Sequence, residues 1–387
     1  MAARLAGQRR LFEDTQRLLV EHAAWLQPGD WVPVPPKQNV WHHADATLPA
    51  AVVARGGKAA SWVADGSDRS GRAVLKRLWR GMWLWAFAMA ARMRRLPQRA
   101  TVPPVKPSRS NATAVVRASR NRADFVALEP EAGRALRLAR PGAYDHEYVE
   151  VRRLFQRYLP APGFSVSDDG AVLVEDWANG QVLQGLPAQR QVAVAVEVLD
   201  RYADLVAAER AADEGTEWEA LPRLLDQVRL PEVLREPLAD PRVRRLLASG
   251  LLTPSQGGLA ADDILVDERS SSWQVVDFDE AGWLPVWWDP VGLVRRLLNN
   301  AGPVDEQSLH ALIKALDRVW AAAGLDDAAG LTPQHWAALV VLRGPWLEST
   351  HAAYLSDKGQ PAAPNADDFA WHLHQQARTV EAQLARR

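Results

Sequence analysis

Gln256–Gly282, QGGLAADDILVDERSSSWQVVDFDEAG, is the stretch from which the rest of this 387-residue chain is best read. ILVDE (264–268) and WQVVDFD (273–279) are short apolar runs rich in β-branched residues, and Arg269-Ser270-Ser271-Ser272 between them is a polar turn. That pattern predicts two strands of a hairpin. Pairing them brings the loop before the first strand, QGGLAADD, beside the residues that end the second, Asp277 and Asp279.

Working outward, the chain is mainly helical from Leu186 onward, as in AQRQVAVAVEVLDRYADLVAAERA, EALPRLLDQV and PRVRRLLAS, and the hairpin interrupts that run. Upstream the period changes to two. ATAVVRAS, ADFVALE and RALRLAR predict three consecutive antiparallel strands. A helix, DHEYVEVRRLFQRYL, and two more strands, GFSVSD and AVLVEDW, complete a small sheet over 111–178 with one helix inserted. Residues 1–28 place Leu5, Phe12, Leu19 and Leu26 seven apart, with Leu11 and Leu18 beside them, which predicts a helix. Residues 29–70, broken by Pro and Gly, read as irregular. GRAVLKRLWRGMWLWAFAMAARMRRL (71–96) reads as a cationic, Trp-rich helix, and PQRATVPPVKPSRSN as a linker that its prolines keep out of helix and sheet.

The chain has no cysteine, which excludes disulfides and thiolate metal sites. Its net charge of −1 conceals a division. Residues 1–120 carry 20 Lys/Arg and 7 Asp/Glu, and between Arg69 and Arg120 there are 13 basic residues and no acidic one. A segment so charged suits an anionic surface or an acidic protein partner. The apolar stretch Gly81–Ala91 is far below the ~20 residues of a membrane span. Expected, therefore, is a cytoplasmic protein, with peripheral membrane attachment through 71–96 as one use of the basic segment.

The string from Gly257 to Pro290 resembles the aminoglycoside phosphotransferase and choline kinase family, whose loop reads H-G-D-L-x-x-x-N-I-L and is followed by a strand, a turn and V-I/V-D-F/W-D/E. Leu259, Ile264, Leu265, Val275, Val276, Asp277, Phe278 and Asp279 fall on matching positions, and Asp289-Pro290 with the helix VGLVRRLLNN fits the usual continuation. Val172–Trp177 with Gly180 looks like the strand that joins the two lobes. The resemblance covers roughly 111–387. It implies an α+β, two-lobed, protein-kinase-like fold: a small β-sheet N-lobe with one helix (111–180), a larger, mainly helical C-lobe (181–387) carrying the hairpin 256–282, and a basic, partly helical N-terminal extension (1–110). It also implies ATP or another nucleoside triphosphate, Mg²⁺, and a small-molecule hydroxyl acceptor of unknown identity.

Carried over position by position, the resemblance makes Asp277 a Mg²⁺ ligand and puts Asp263 where the family has a metal-binding asparagine. Arg137 stands at the phosphate-binding lysine, with Glu147 or Glu150 on the following helix as its ion-pair partner, and Glu175 and Trp177 lie on the nucleotide-side hinge. Two positions depart. Gly258 replaces the catalytic aspartate, and Gln256 replaces the histidine that supports the loop. A glycine can neither take a proton from an acceptor hydroxyl nor orient it. Two readings follow: a phosphotransferase in which another carboxylate such as Asp262 serves as base, or a pseudokinase that binds nucleotide as a regulatory or scaffold module. Trp283, Trp287 and Trp288, after the hairpin, are suited either to stacking on a substrate or to core packing.

Overall fold

The computed structural model describes residues 16–26, 28–34, 51–54, 100–105, 114–117, 123–129, 132–212, 220–267, 270–300, 304–343, 369–370, 373–374 and 377. The Trp-rich segment 71–96 and most of the linker after it lie outside the described residues. The chain divides into two units, one running to His146 and including Pro162–Trp177, the other made of Glu147–Ala161 and everything from Ala178 onward.

The first unit is built on an antiparallel sheet. Its strands are β1 (Gly29–Val34), β2 (Ala51–Ala54), β3 (Ala100–Val102), β4 (Ala114–Arg117), β5 (Ala123–Glu129), β6 (Arg134–Ala139), β7 (Phe164–Val166) and β8 (Val172–Asp176), in the order β3-β1-β2-β4-β5-β6-β8-β7. The strands expected from ATAVVRAS, ADFVALE, RALRLAR, GFSVSD and AVLVEDW are all present. Strands β1, β2 and β3 were not expected: 29–70 is rich in Pro and Gly, and β3 falls in the linker PQRATVPPVKPSRSN, whose prolines were expected to keep it out of sheet but lie outside Ala100–Val102. Pro33 lies opposite Val52 of β2 and beyond the end of the β3 pairing, which spans Gly29–Trp31. A proline has no N–H to donate and is tolerated where a neighbouring strand makes no demand for one. The described part of the N-terminal helix, 16–21, is followed by a 3₁₀ turn, Ala23–Trp25, and Leu18, Leu19 and Leu26 are buried as their spacing requires.

In the second unit, α1 (His146–Tyr158, with His146 at the boundary) is followed by α2 (Ala188–Glu209), α3 (Ala220–Gln227), α4 (Glu232–Ala239), α5 (Pro241–Ala248), α6 (Trp288–Asn300) and α7 (Glu306–Ala322), with a further helical run over 333–343 and two short strands, β9 (Gln181–Val182) and β10 (Ala211–Ala212). Helix α2 buries Val192, Ala195, Leu199, Tyr202 and Val206, an alternation of three and four that forms one stripe along the helix. Among the described residues no helix is long and apolar enough to cross a membrane.

Helix α5 is capped by Asp240, whose carboxylate accepts from the Arg242 backbone N–H at 2.8 Å and pairs with the Arg242 guanidinium at 2.7 Å and with His335 Nε2 at 3.1 Å. These bonds, the Arg242 side chain first, hold its carboxyl well below the usual range. Because the folded-state value is depressed, this contribution is present above the ordinary carboxylate range and is lost as pH falls through the folded-state value. Asp240→Ala is expected to cost about 1 kcal/mol at neutral pH, as an N-cap loss does, and the difference from wild type should shrink in urea titrations run at strongly acidic pH.

Candidate active site

The hairpin forms as its sequence demands. Strands β12 (Ile264–Asp267) and β13 (Ser272–Val275) pair antiparallel with Ile264 opposite Val275 and Asp267 opposite Ser272. The last ladder bond is followed by one more, from Val276 N–H to the Asp263 carbonyl at 2.8 Å. A second ladder, of β11 (Leu251–Ser255) with β14 (Gly282–Pro285), places Ser255 opposite Gly282. The segments 256–263 and 276–281 are therefore held at both ends by antiparallel pairing, which fixes them side by side. Strands β11 and β14 are not legible in the sequence, since LLTPS and GWLP lack alternation.

The loop takes its shape from Asp289, in the first turn of α6. This fully buried carboxylate accepts from Ser255 Oγ at 2.6 Å, Gln256 N–H at 2.7 Å and Leu259 N–H at 3.2 Å. Burial holds its carboxyl above the ordinary range despite these bonds and the nearby charge of Arg343. Ser255 Oγ also accepts from Gly257 N–H at 3.0 Å, and the Gly257 carbonyl accepts from Trp288 Nε1 at 2.7 Å. Gln256, in the position of the family's histidine, is buried. Its Nε2 donates to the Val276 carbonyl at 3.0 Å and to the Asp277 carbonyl, while its Oε1 accepts from Gly258 N–H at 2.8 Å. An amide can donate and accept at once, so this one side chain ties the loop to the end of β13.

Arg343, from the helical run 333–343, is buried beneath the loop with its guanidinium 4.6 Å from the Trp288 ring centroid. Burial, with the like charge of Arg296, lowers its pKa to about 10, and the carboxylates of Asp289, Glu280 and Asp263 oppose that shift. Helix α6 admits this cation because residue 292 is a glycine, where any Cβ would overlap the guanidinium. Neither Arg343 nor the anchoring by Asp289 was foreseen from sequence. Arg343 lies 86 residues from the glycine whose carbonyl it approaches at 3.5 Å, and no local pattern marks it.

Asp263 and Asp277 meet at the open end of the β12–β13 hairpin. The Asp263 carboxyl is held well above its ordinary range, first by desolvation and then by the negative charges of Asp277 and Asp262, with Arg296 opposing. Asp277 has φ of +63°, a left-handed conformation that Asp tolerates better than most residues but that glycine would adopt without cost. Phe278 next to it is fully buried, edge-on to Phe155 of α1 at 5.1 Å and beneath Arg152 at 4.7 Å, which fixes the backbone that carries Asp277. Asp262 is half-buried and pairs with Arg296 at 3.9 Å. Among the described residues no group of three or more His, Cys, Asp or Glu is gathered as a metal site. Two carboxylates do fit a Mg²⁺ ion whose remaining ligands are phosphates and water.

In the first unit, Arg137 and Glu175 are both buried and joined at 2.5 Å. Their pairing follows from register: Glu175 of β8 lies opposite Ala135 of β6, so Arg137 is its diagonal neighbour on the same face. Glu147 and Glu150 are exposed on α1, and Trp177 is half-buried, its N–H donating to the Gly133 carbonyl at 2.8 Å. Trp287 and Trp288 are core residues, with ring centroids 5.5 Å apart, and Trp283 is half-exposed.

No protein-family model matches the chain, and no curated protein does. Solved structures to which it is similar include an aminoglycoside phosphotransferase from Alicyclobacillus acidocaldarius, at 18% identity over 71% of this chain and 91% of that one, with a TM-score of 0.38. A macrolide 2′-phosphotransferase type I is similar at 15% identity over 68% and 89%, with a TM-score of 0.41. A choline/ethanolamine kinase family protein from Mesorhizobium loti is similar at 15% identity over 69% and 88%, with a TM-score of 0.37.

Proposed function

We propose that this protein binds a nucleoside triphosphate with Mg²⁺ at the open end of the β12–β13 hairpin and transfers the terminal phosphoryl group to a hydroxyl of a small molecule. The observation that carries the reading is the convergence of Asp263 and Asp277 at the hairpin's open end, where Val276 N–H bonds the Asp263 carbonyl and two neighbouring negative charges call for a cation. In this reading Asp263 and Asp277 hold the Mg²⁺, which when bound neutralises phosphate charge. In the first unit, Arg137, buried and joined to Glu175, is the cation that the resemblance assigns to phosphate, and Trp177 is the residue that it assigns to the nucleotide side. Phosphoryl transfer passes through a loose transition state, so positioning and charge neutralisation supply most of the rate.

The left-handed backbone at Asp277 supports the reading. A residue held where glycine would be easier is retained for its side chain, and such positions cluster at functional sites. Asp277→Gly should therefore leave the fold intact while abolishing Mg²⁺-dependent nucleotide binding. A thermal-shift titration with ATP, with and without Mg²⁺, reads this directly. Ligand at 100 times its dissociation constant stabilises the wild type by roughly 2.7 kcal/mol. A Mg²⁺-dependent shift that survives in Asp277→Gly would remove the metal role from this residue.

One observation favours a second reading, a nucleotide-binding module without turnover: the loop residue at the position of the family's base is Gly258, which has no side chain. Nucleotide binding without phosphoryl transfer to any acceptor, water included, would select it.

A further inference from the structure

The absent side chain at position 258 leaves a place that another carboxylate already borders. A Cβ built on Gly258 would lie 3.7 Å from Glu280 Oε2 and 3.9 Å from an Arg343 guanidinium nitrogen, both at ordinary van der Waals distance. Glu280 is exposed, follows Asp277 by three residues, and sits on the segment held against the loop by the Ser255–Gly282 pairing. Its backbone is fixed there by Gly257. At φ of +104° that residue packs so closely on the Glu280 carbonyl that no Cβ fits between them. One segment thus carries a carboxylate to the base position, while the neighbouring loop residue is small enough to admit it.

The geometry points to Glu280 as the group that takes the proton from the acceptor hydroxyl, in place of the aspartate that position 258 lacks. This assignment rests on the phosphotransferase reading above. In the step, the acceptor oxygen forms a bond to the terminal phosphorus as the bond from that phosphorus to the bridging oxygen breaks. The nucleoside diphosphate leaves with that electron pair, and the hydroxyl proton passes to a Glu280 carboxylate oxygen. The Arg343 guanidinium bears on the same point and sets a positive charge beside the carboxylate. Asp262 is the competing candidate, with Arg296 as its ion-pair partner.

The test uses the full chain with MgATP and water as the acceptor, reading phosphate release together with the Mg²⁺-dependent thermal shift. Glu280→Gln should lower turnover about 10²- to 10⁴-fold, the range of a general base, with the thermal shift retained. Adding Gly258→Asp to Glu280→Gln should restore a measurable part of the rate, because the new carboxylate grows from the point that Glu280 borders. A structural role for Glu280 would not produce that rescue. Turnover by Glu280→Gln equal to wild type, or a loss seen only in Asp262→Asn, overturns the assignment and leaves the phosphotransferase reading standing. A wild-type protein that binds MgATP and transfers phosphate to no acceptor, water included, overturns the assignment and selects the binding module. Absence of any Mg²⁺-dependent nucleotide binding removes both.

Discussion

Replacing Asp289 by alanine should lower the stability of the protein by about 3–5 kcal/mol, the cost of breaking a buried charged group out of its network. The substitution strands Ser255 Oγ and the backbone N–H groups of Gln256 and Leu259, all buried and all now donating to nothing. It also removes a countercharge from Arg343, which is buried in the same unit. Asp289→Asn keeps an acceptor without the charge and should fall between wild type and alanine. The two contributions separate in a double-mutant cycle with Arg343→Met, since the pair interaction appears as non-additivity. Urea denaturation midpoints measure all four proteins. An Asp289→Ala protein within 1 kcal/mol of wild type would mean that the loop is not held by this residue.

The second large effect belongs to Gly257. Alanine there faces two penalties. The backbone at φ of +104° lies outside the regions open to a residue with a Cβ, and that Cβ would overlap the Glu280 carbonyl. Strain of this kind costs about 1–3 kcal/mol, and forced overpacking adds about 1–3 kcal/mol. Gly258→Ala, one residue along, is the control. Its Cβ meets nothing closer than 3.7 Å, and the change should be near neutral for stability. Equal losses in the two variants would show that the close approach at Gly257 is relieved by a shift of the Glu280 segment. Gly257→Ala also moves Glu280, so its turnover should fall further than its nucleotide binding.

Neighbouring glycines so different in tolerance show where sequence reasoning stops. The hairpin was legible because alternation and a polar turn are local, and once ILVD and SWQV pair, Asp263 and Asp277 must meet at its open end. The five strands expected over 111–178 and the helices from Leu186 onward were legible for the same reason, since their periods show in the sequence. Strands β1, β2 and β3 were not, because they are short, lie among prolines and glycines, and are joined by pairings between segments far apart in the chain. The Arg137–Glu175 contact is likewise a matter of register: two residues 38 apart become diagonal neighbours only when β6 pairs with β8 as it does.

By itself the sequence determined the hairpin, the five strands over 111–178, the helical run after Leu186 and so the α+β class, since these follow from periodicity and turn chemistry within a few residues. Only the tertiary structure decided what holds the loop and what replaces its missing side chain. Asp289 and Arg343 reach Gln256–Leu259 from helices 30 to 86 residues away, and Glu280 comes to the Gly258 position because β11 and β14 pair. Such contacts depend on chain segments meeting in space, and no local pattern of residue types records them.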